Sequence, residues 1–376
     1  MRTAICEMLG IDFPLLAFSH CRDVVAAVTN AGGFGVLGAS SHTPAELEHE
    51  LAWIDDHVDG RPYGVDIVCP EKFESKGMNL TSEQIEAMVP AEHRDYVAQL
   101  LSHYGLTLDE FGDIPFKLFG TIGDTIGEEL LDVSFRHPIK LIANALGVAP
   151  AFMIDRAKAE SVPVAALVGA KEHAIKQVQA GVDVLVVQGT EAGGHCGEVT
   201  TMVLVPEVID AIRGVRDVPV LAAGGIVTGR QVAAAIALGA AGAWTGSVWL
   251  TTEEAETAPY TVQKMLAATS HDTVRSKSRT GKPSRQLRSA WTDAWDAGDG
   301  PKPLPLPLQS VVSENVLRRI DTLAGNGNEG AQALATYWVG QGVGLLNKVK
   351  PAREVVREMI EDYLDTVERL ARSLDD

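Results

Sequence analysis

Cysteine is scarce in this 376-residue chain. There are four (Cys6, Cys21, Cys69 and Cys196), with no Cys-x-x-Cys spacing, so a disulfide framework and the usual structural-zinc pattern are excluded. His20-Cys21 and His195-Cys196 are the only pairs resembling halves of a metal site. Adjacent residues rarely ligate one ion together, so reduced thiols and no metal are expected. Positive charge is also in deficit: 32 Lys and Arg against 50 Asp and Glu give a net charge of −18. That balance argues against nucleic acid or an anionic membrane as partner. No apolar run is long enough to span a bilayer, and the opening Met-Arg-Thr-Ala-Ile-Cys-Glu lacks the apolar core of a signal peptide. A cytoplasmic protein is expected. Aromatic residues supply only 6% of the chain, while 46% is hydrophobic, mostly Ala, Val and Leu. That composition suits a large β-branched sheet covered by helices.

Apolar, β-branched runs alternate with helix-period segments. Strands are predicted near 14–18, 34–39, 62–68, 139–145, 163–168, 183–189, 218–223 and 242–248. Helices are predicted near 21–31, 43–58, 150–160, 170–180, 205–214, 229–239 and 255–268. Eight strands in one continuous alternation predict an α/β fold, a (β/α)8 TIM barrel rather than an open sheet. The barrel is expected to comprise 1–69 and 139–290. Residues 70–138 form a helical insertion after strand 3, with a helical run from Thr81 to Tyr104 broken at Pro90. Its position suggests either a lid or pocket wall, or helices packed outside the barrel. Residues 291–376 hold a stiff Pro301-Lys-Pro-Leu-Pro-Leu-Pro307 connector and a C-terminal helical appendage. In the last helix Val356, Ile360, Tyr363, Val367, Leu370 and Leu374 form a stripe to be buried against the barrel or a second subunit, the latter making a homodimer.

The most informative loop is Gln188-Gly-Thr-Glu-Ala-Gly-Gly-His195-Cys-Gly-Glu198, which follows the buried-strand run Asp183-Val-Leu-Val-Val187. Gly193 and Gly194 bring backbone close to a ligand and deliver His195, whose imidazole transfers protons near neutral pH. Gln188 shares parity with Val184 and Val186. If that side is the barrel interior, its amide meets the polar edge of a planar heterocycle. Asp66 alternates with Gly64, and a carboxylate facing inward is costly unless paired or ligand-bound. Gly224-Gly225 end the seventh strand, and Trp244-Thr245-Gly246-Ser247 lie on the eighth. Barrels commonly hold a phosphate at those two strand ends. Gly33-Phe-Gly35-Val-Leu-Gly38 matches a dinucleotide fingerprint, but a helix precedes it and the strand lies within it, so a helix cap leading into a strand is the reading. Arg275, Lys277, Arg279, Lys282, Arg285 and Arg288 form a basic run. It is either a salt-bridged face or a clamp for an anionic tail such as the phosphates of coenzyme A.

Together these residues resemble the nitronate monooxygenase family, formerly called 2-nitropropane dioxygenases, which is related to flavin-dependent enoyl-ACP reductases. The resemblance runs from Pro14 to about Leu287 and is carried by Asn30-Ala-Gly-Gly-Phe-Gly, Gln188-Gly-Thr-Glu-Ala-Gly-Gly-His, Ala222-Ala-Gly-Gly-Ile and Gly246-Ser247. It implies FMN, with its phosphate on Gly225 and Trp244 to Ser247 and its ring near Gln188 and Gly193. Ala17 and Phe18 would lie against the ring, and His195 would be the catalytic base. The family commonly carries Asn where Asp66 stands. The implied reaction is oxidation of an alkyl nitronate by O2 to a carbonyl compound and nitrite. An alternative is NAD(P)H-dependent reduction or dehydrogenation of an acyl-CoA or related thioester. A non-redox phosphate-binding lyase is a third, but no lysine stands at a strand end in a Schiff-base position.

Overall fold

Alternation of inward and outward side chains along eight short strands closes a barrel. The computed structural model describes residues 3–68, 82–107 and 126–374. The wall consists of β1 (Leu15–Ser19), β2 (Phe34–Gly38), β3 (Gly64–Ile67), β4 (Leu141–Asn144), β5 (Val164–Val168) and β6 (Val184–Gln188), then, past the two-residue β7 (Gly194–His195), β8 (Val220–Ala223) and β9 (Gly242–Thr245). All neighbours in the wall are parallel, and Leu16 of β1 lies opposite both Phe34 and Trp244, which closes the ring. All eight predicted barrel strands are present.

The pleat sorts side chains into two cores. Leu16, Phe34, Val36, Leu141, Ala143, Val184, Val186 and Leu221 fill the interior, while Ala17, Leu37, Ile142, Leu185 and Ala222 face the helices outside. A short helix that sequence reading missed, α1 (Ala4–Leu9), adds Ile5, Cys6 and Leu9 to the interior core. The covering helices are α2 (Arg22–Asn30), α3 (Pro44–His57), α6 (Ile126–Ser134), α7 (Ala151–Ala159), α8 (Lys171–Ala180), α9 (Thr201–Ile212) and α10 (Gly229–Ala237). Local chemistry fixes their ends. In α3, Thr43 and Glu46 form a reciprocal capping box with Pro44 in the first turn, and α8 stops at Gly181 with φ +107°. The glycine-rich 33–38 segment is β2 itself, after α2, as predicted.

In the insertion, α4 (Ser82–Ala87) and α5 (Ala91–His103) flank the expected break, with Pro90 capping α5. They do not border the barrel mouth. Val97 and Leu101 pack with Trp291, Trp295, Leu317 and Ile320 in a separate core built by α12 (Ala290–Asp296), α13 (Leu308–Gly325) and α14 (Glu329–Leu334), beyond α11 (Pro259–Ala267). Residues 70–81 and 108–125 of the expected insertion lie outside the described residues, and its last part holds α6, which covers the barrel wall beside α3 and β3 instead of standing at the mouth. The final helix, α15 (Ala352–Arg372), packs on α10 and α2. Val356 and Tyr363 are buried as expected, but Val367, Leu370 and Leu374 are 42%, 52% and 87% exposed. The stripe is therefore covered by the barrel only along its first half.

Residues 273–287, assigned to the barrel from sequence, instead form a hairpin: β10 (Thr273–Ser276) and β11 (Ser284–Leu287) are antiparallel, and β11 pairs with β7. This small second sheet carries His195. Among the described residues, no helix is long and apolar enough to cross a membrane.

Candidate functional site

Strand ends β1, β5, β6, β8 and β9 open into a cleft at the C-terminal mouth of the barrel. Phe18, Gln188, Gly193, Gly194, Gly224, Gly225, Trp244, Thr245, Gly246 and Ser247 all line it, so ten of the predicted positions converge on one space. The parity argument for Gln188 holds, since Val184 and Val186 are interior residues. Phe18 and Trp244 stand with ring centroids 6.2 Å apart and planes 25° from parallel, giving the cleft an aromatic side. Ala17 is different: the pleat turns it outward into the helix-facing core, so only its neighbour Phe18 reaches the cleft.

Gly224 and Gly225 have φ of +110° and +70°, a left-handed path that side-chain-bearing residues rarely take. Successive residues in such a turn form a concave backbone surface suited to an anion. At Gly246 a Cβ would meet no atom within 4 Å, leaving open space at the opposite strand end. The hydroxyls are more committed than expected. Thr245 donates to the Leu16 carbonyl (2.9 Å) and accepts from the Trp249 indole (3.0 Å), while Ser247 Oγ accepts the Gly340 N–H (2.8 Å).

His195 does not line this cleft. It opens into an adjoining cavity that shares Leu167 and Gln188 as a partition and is also lined by Lys176, Cys196 and Lys282. The His195 ring lies 6.1 Å from Trp338, which borders the cleft on the other side. Its Nε2 is 2.8 Å from Thr280 Oγ1. Burial, followed by the charges of Lys282 and Arg279, pushes its pKa down to about 4, so the imidazole is neutral at pH 7.

Asp66 occupies the interior face of β3, level with Gly38 and Ala143, as its parity predicts. It is 2% exposed, does not line the cleft, and its Oδ2 has no hydrogen-bond partner. Burial raises its pKa well above the ordinary carboxylate value. The basic run is largely engaged in structure. Arg279 pairs with Glu314 (2.9 Å), Arg275 with Glu198 (3.2 Å) and Arg288 with Asp293 (2.8 Å), while Arg285 donates to the Thr190 carbonyl (2.8 Å). Lys282 is the member that reaches the His195 cavity.

Sequence reading missed one whole wall. Tyr337, Trp338 and Gly342 close the cleft from the C-terminal region, and His20 and Leu250 line it as well. The Gln341 N–H donates to the Glu191 carbonyl (2.9 Å), tying this wall to the glycine loop. Tyr337-Trp338 beside Gly340-Gln-Gly342-Val-Gly344 was the available signal.

The sequence profile described as nitronate monooxygenase matches residues 5–362. A Mycobacterium tuberculosis protein, whose name places it provisionally among the monooxygenases, is 54% identical over 374 residues, covering 98% of both chains. A Staphylococcus aureus protein named "probable nitronate monooxygenase" is 27% identical, covering 96% of both. Among solved structures, a nitroalkane oxidase from Streptomyces ansochromogenes superposes with TM-score 0.79 at 23% identity, over 98% of this chain and 100% of that one. FabK from Thermotoga maritima gives 0.70 at 25%, over 99% of each chain.

Proposed function

This chain belongs to the nitronate monooxygenase family of flavin-dependent oxidoreductases, and from that premise we propose that its flavin is FMN and its reaction the oxidation of alkyl nitronates by O2 to carbonyl compounds and nitrite. The observation that carries this reading is the meeting of a left-handed glycine turn, an aromatic side and a neutral histidine at one barrel mouth.

The residues present fit a flavin mononucleotide. Gly224, Gly225, Gly246 and Ser247 would hold the phosphate, with backbone N–H groups as donors. Phe18, Trp244 and Gln188 would flank the ring, the amide offering both donor and acceptor to its polar edge. The bound flavin supplies the electron-accepting chemistry that no side chain here provides. Trp338, Tyr337 and Leu250 exclude water from that side of the cleft.

His195 works across the Gln188 partition. With a neutral nitroalkane, the neutral imidazole takes the proton from the carbon next to the nitro group and so produces the nitronate that is oxidised; a nitronate supplied as such has already lost that proton. Lys282, on the same cavity, favours the resulting anion electrostatically. The thioester alternative loses its main support, because all four arginines of the run proposed for coenzyme A are held by Glu198, Glu314, Asp293 and the Thr190 carbonyl.

The test is spectroscopic. The purified protein should release a flavin carrying one phosphate on denaturation. Anaerobic addition of a nitronate should bleach the flavin band, and O2 should restore it with nitrite and a carbonyl product. Release of FAD, or no binding of added FMN, would refute the cofactor. Bleaching by NADH or NADPH with thioester turnover, and none by nitronate, would move the protein to the reductase reading.

A further inference from the structure

The β10–β11 turn, residues 277–283, is more tightly held than a surface hairpin tip requires. Arg279 and Thr280 are buried, at 6% and 1% exposure. Three side chains of α13 grip the turn. Gln309 Nε2 donates to the Ser278 carbonyl (2.9 Å), Ser313 donates to the Arg279 carbonyl, and Glu314 takes both Nε (2.9 Å) and Nη2 (3.2 Å) of Arg279. On its other face the Arg279 guanidinium lies 4.2 Å from the ring centre of Trp338, the residue between the cleft and His195. The next residue is Thr280, whose hydroxyl meets His195.

Thr280 Oγ1 has three neighbours: His195 Nε2 at 2.8 Å, the Lys282 carbonyl at 3.3 Å and the Lys282 N–H at 3.4 Å. A hydroxyl owns one proton. If it donates that proton to the Lys282 carbonyl, it must accept from His195, which places the imidazole proton on Nε2 and leaves the lone pair on Nδ1. A histidine serving as a base needs this arrangement: one nitrogen anchored, the other free of its proton.

Building on the proton-transfer reading of His195, we propose that Thr280 is a positioning residue that fixes the orientation and tautomer of that imidazole, and that Arg279, clamped by Glu314 and stacked on Trp338, anchors Thr280. The α13 region, remote in sequence, thereby acts on the proton-transfer geometry through one turn.

Thr280→Val removes the hydroxyl at nearly constant volume, and Thr280→Ser restores it. In the flavin-loaded enzyme assayed with a neutral nitroalkane, Thr280→Val should keep its flavin content and KM within about twofold while kcat falls about 10- to 100-fold, the usual loss when an orienting partner of a working group is removed. Thr280→Ser should recover most of kcat, and Arg279→Lys, which keeps charge but loses the flat bidentate stack, should lie between. Nitrogen NMR of histidine-labelled protein gives a readout apart from turnover: His195 should show a single Nε2-protonated tautomer in the wild type and a mixture in Thr280→Val. Wild-type kcat in Thr280→Val with an unchanged His195 spectrum overturns the proposal while leaving the role of His195 intact. Full turnover in His195→Ala overturns the underlying proton-transfer reading, and the assignment of Thr280 falls with it.

Discussion

Asp66→Asn isolates one buried proton and should make the protein more stable at neutral pH. Asp66 sits inside the barrel with Oδ2 unpartnered, and burial raises its pKa well above the ordinary value. The folded state therefore keeps a proton that the unfolded chain releases near the usual carboxylate pKa. Stability is fully present below the unfolded value and falls as pH rises through the interval up to the raised folded value. Within that interval the slope for one proton is about 1.4 kcal/mol per pH unit, so two units remove at most about 2.7 kcal/mol. Asparagine has nearly the same shape and no proton to lose. Urea unfolding of both proteins, followed from about pH 5 to about pH 7, should give a difference that widens with pH in favour of the variant. Subtracting the two curves cancels every other titration. Parallel curves, or a variant less stable than wild type at neutral pH, would refute the claim that Asp66 is protonated and unpaired.

Other outcomes follow from the same geometry. His195→Ala should retain flavin and lose about 10²- to 10⁴-fold in turnover of a nitroalkane, measured by nitrite release. Because its imidazolium is disfavoured down to about 4, the wild-type kcat/KM should stay level through the ordinary histidine range and fall only near that value; an acid limb at about 6.5 would contradict the burial and charge argument. Gly225→Val, at φ +70° and with Glu191 Cβ already 3.1 Å from an added Cβ, should purify without flavin, as judged by the absorbance ratio of visible to ultraviolet bands. Glu314→Ala strands the Arg279 guanidinium in the interior and should cost about 3–5 kcal/mol in denaturant unfolding; a loss under about 1 kcal/mol would show that the pair is not buried in solution.

The barrel was legible because its strands carry their own signature. Runs such as Val184-Leu-Val-Val187 are buried on both faces, so they read as uninterrupted apolar stretches. Parity then placed Gln188 and Asp66 inside, since a period of two leaves one alternative per strand. The β10–β11 hairpin failed the same reading for a physical reason. Apart from Leu287, its buried positions are polar (Thr273, Ser276, Ser284, Arg285 and Gln286) and satisfied within the protein, and one of the arginines of the charge run is thus itself a buried position. Hydrophobic periodicity does not detect a strand whose buried positions are nearly all polar.

The glycine loop shows where sequence inference stops even when it succeeds. Gly193 and Gly194 look equivalent in Ala192-Gly-Gly-His195, and both were assigned to the ligand. Their neighbours separate them. A Cβ on Gly193 would stand 2.8 Å from the Gly340 nitrogen, so this glycine admits the C-terminal wall as well as bordering the cleft. At Gly194, with φ +75°, a Cβ would meet nothing within 4 Å; backbone path and an open cleft explain the residue there. Gly197, two residues past the histidine, is closed by the Gly169 carbonyl at 2.4 Å and serves packing. A motif therefore reports that space is needed at a position without reporting what fills it. In this protein the answer for Gly193 lies nearly 150 residues downstream, in a segment that also supplies Tyr337 and Trp338 to the cleft. The two ends of the site depend on each other: the loop that delivers His195 can take its path only because the C-terminal wall is thin at Gly340, and that wall is held at the cleft by the loop's Glu191 carbonyl.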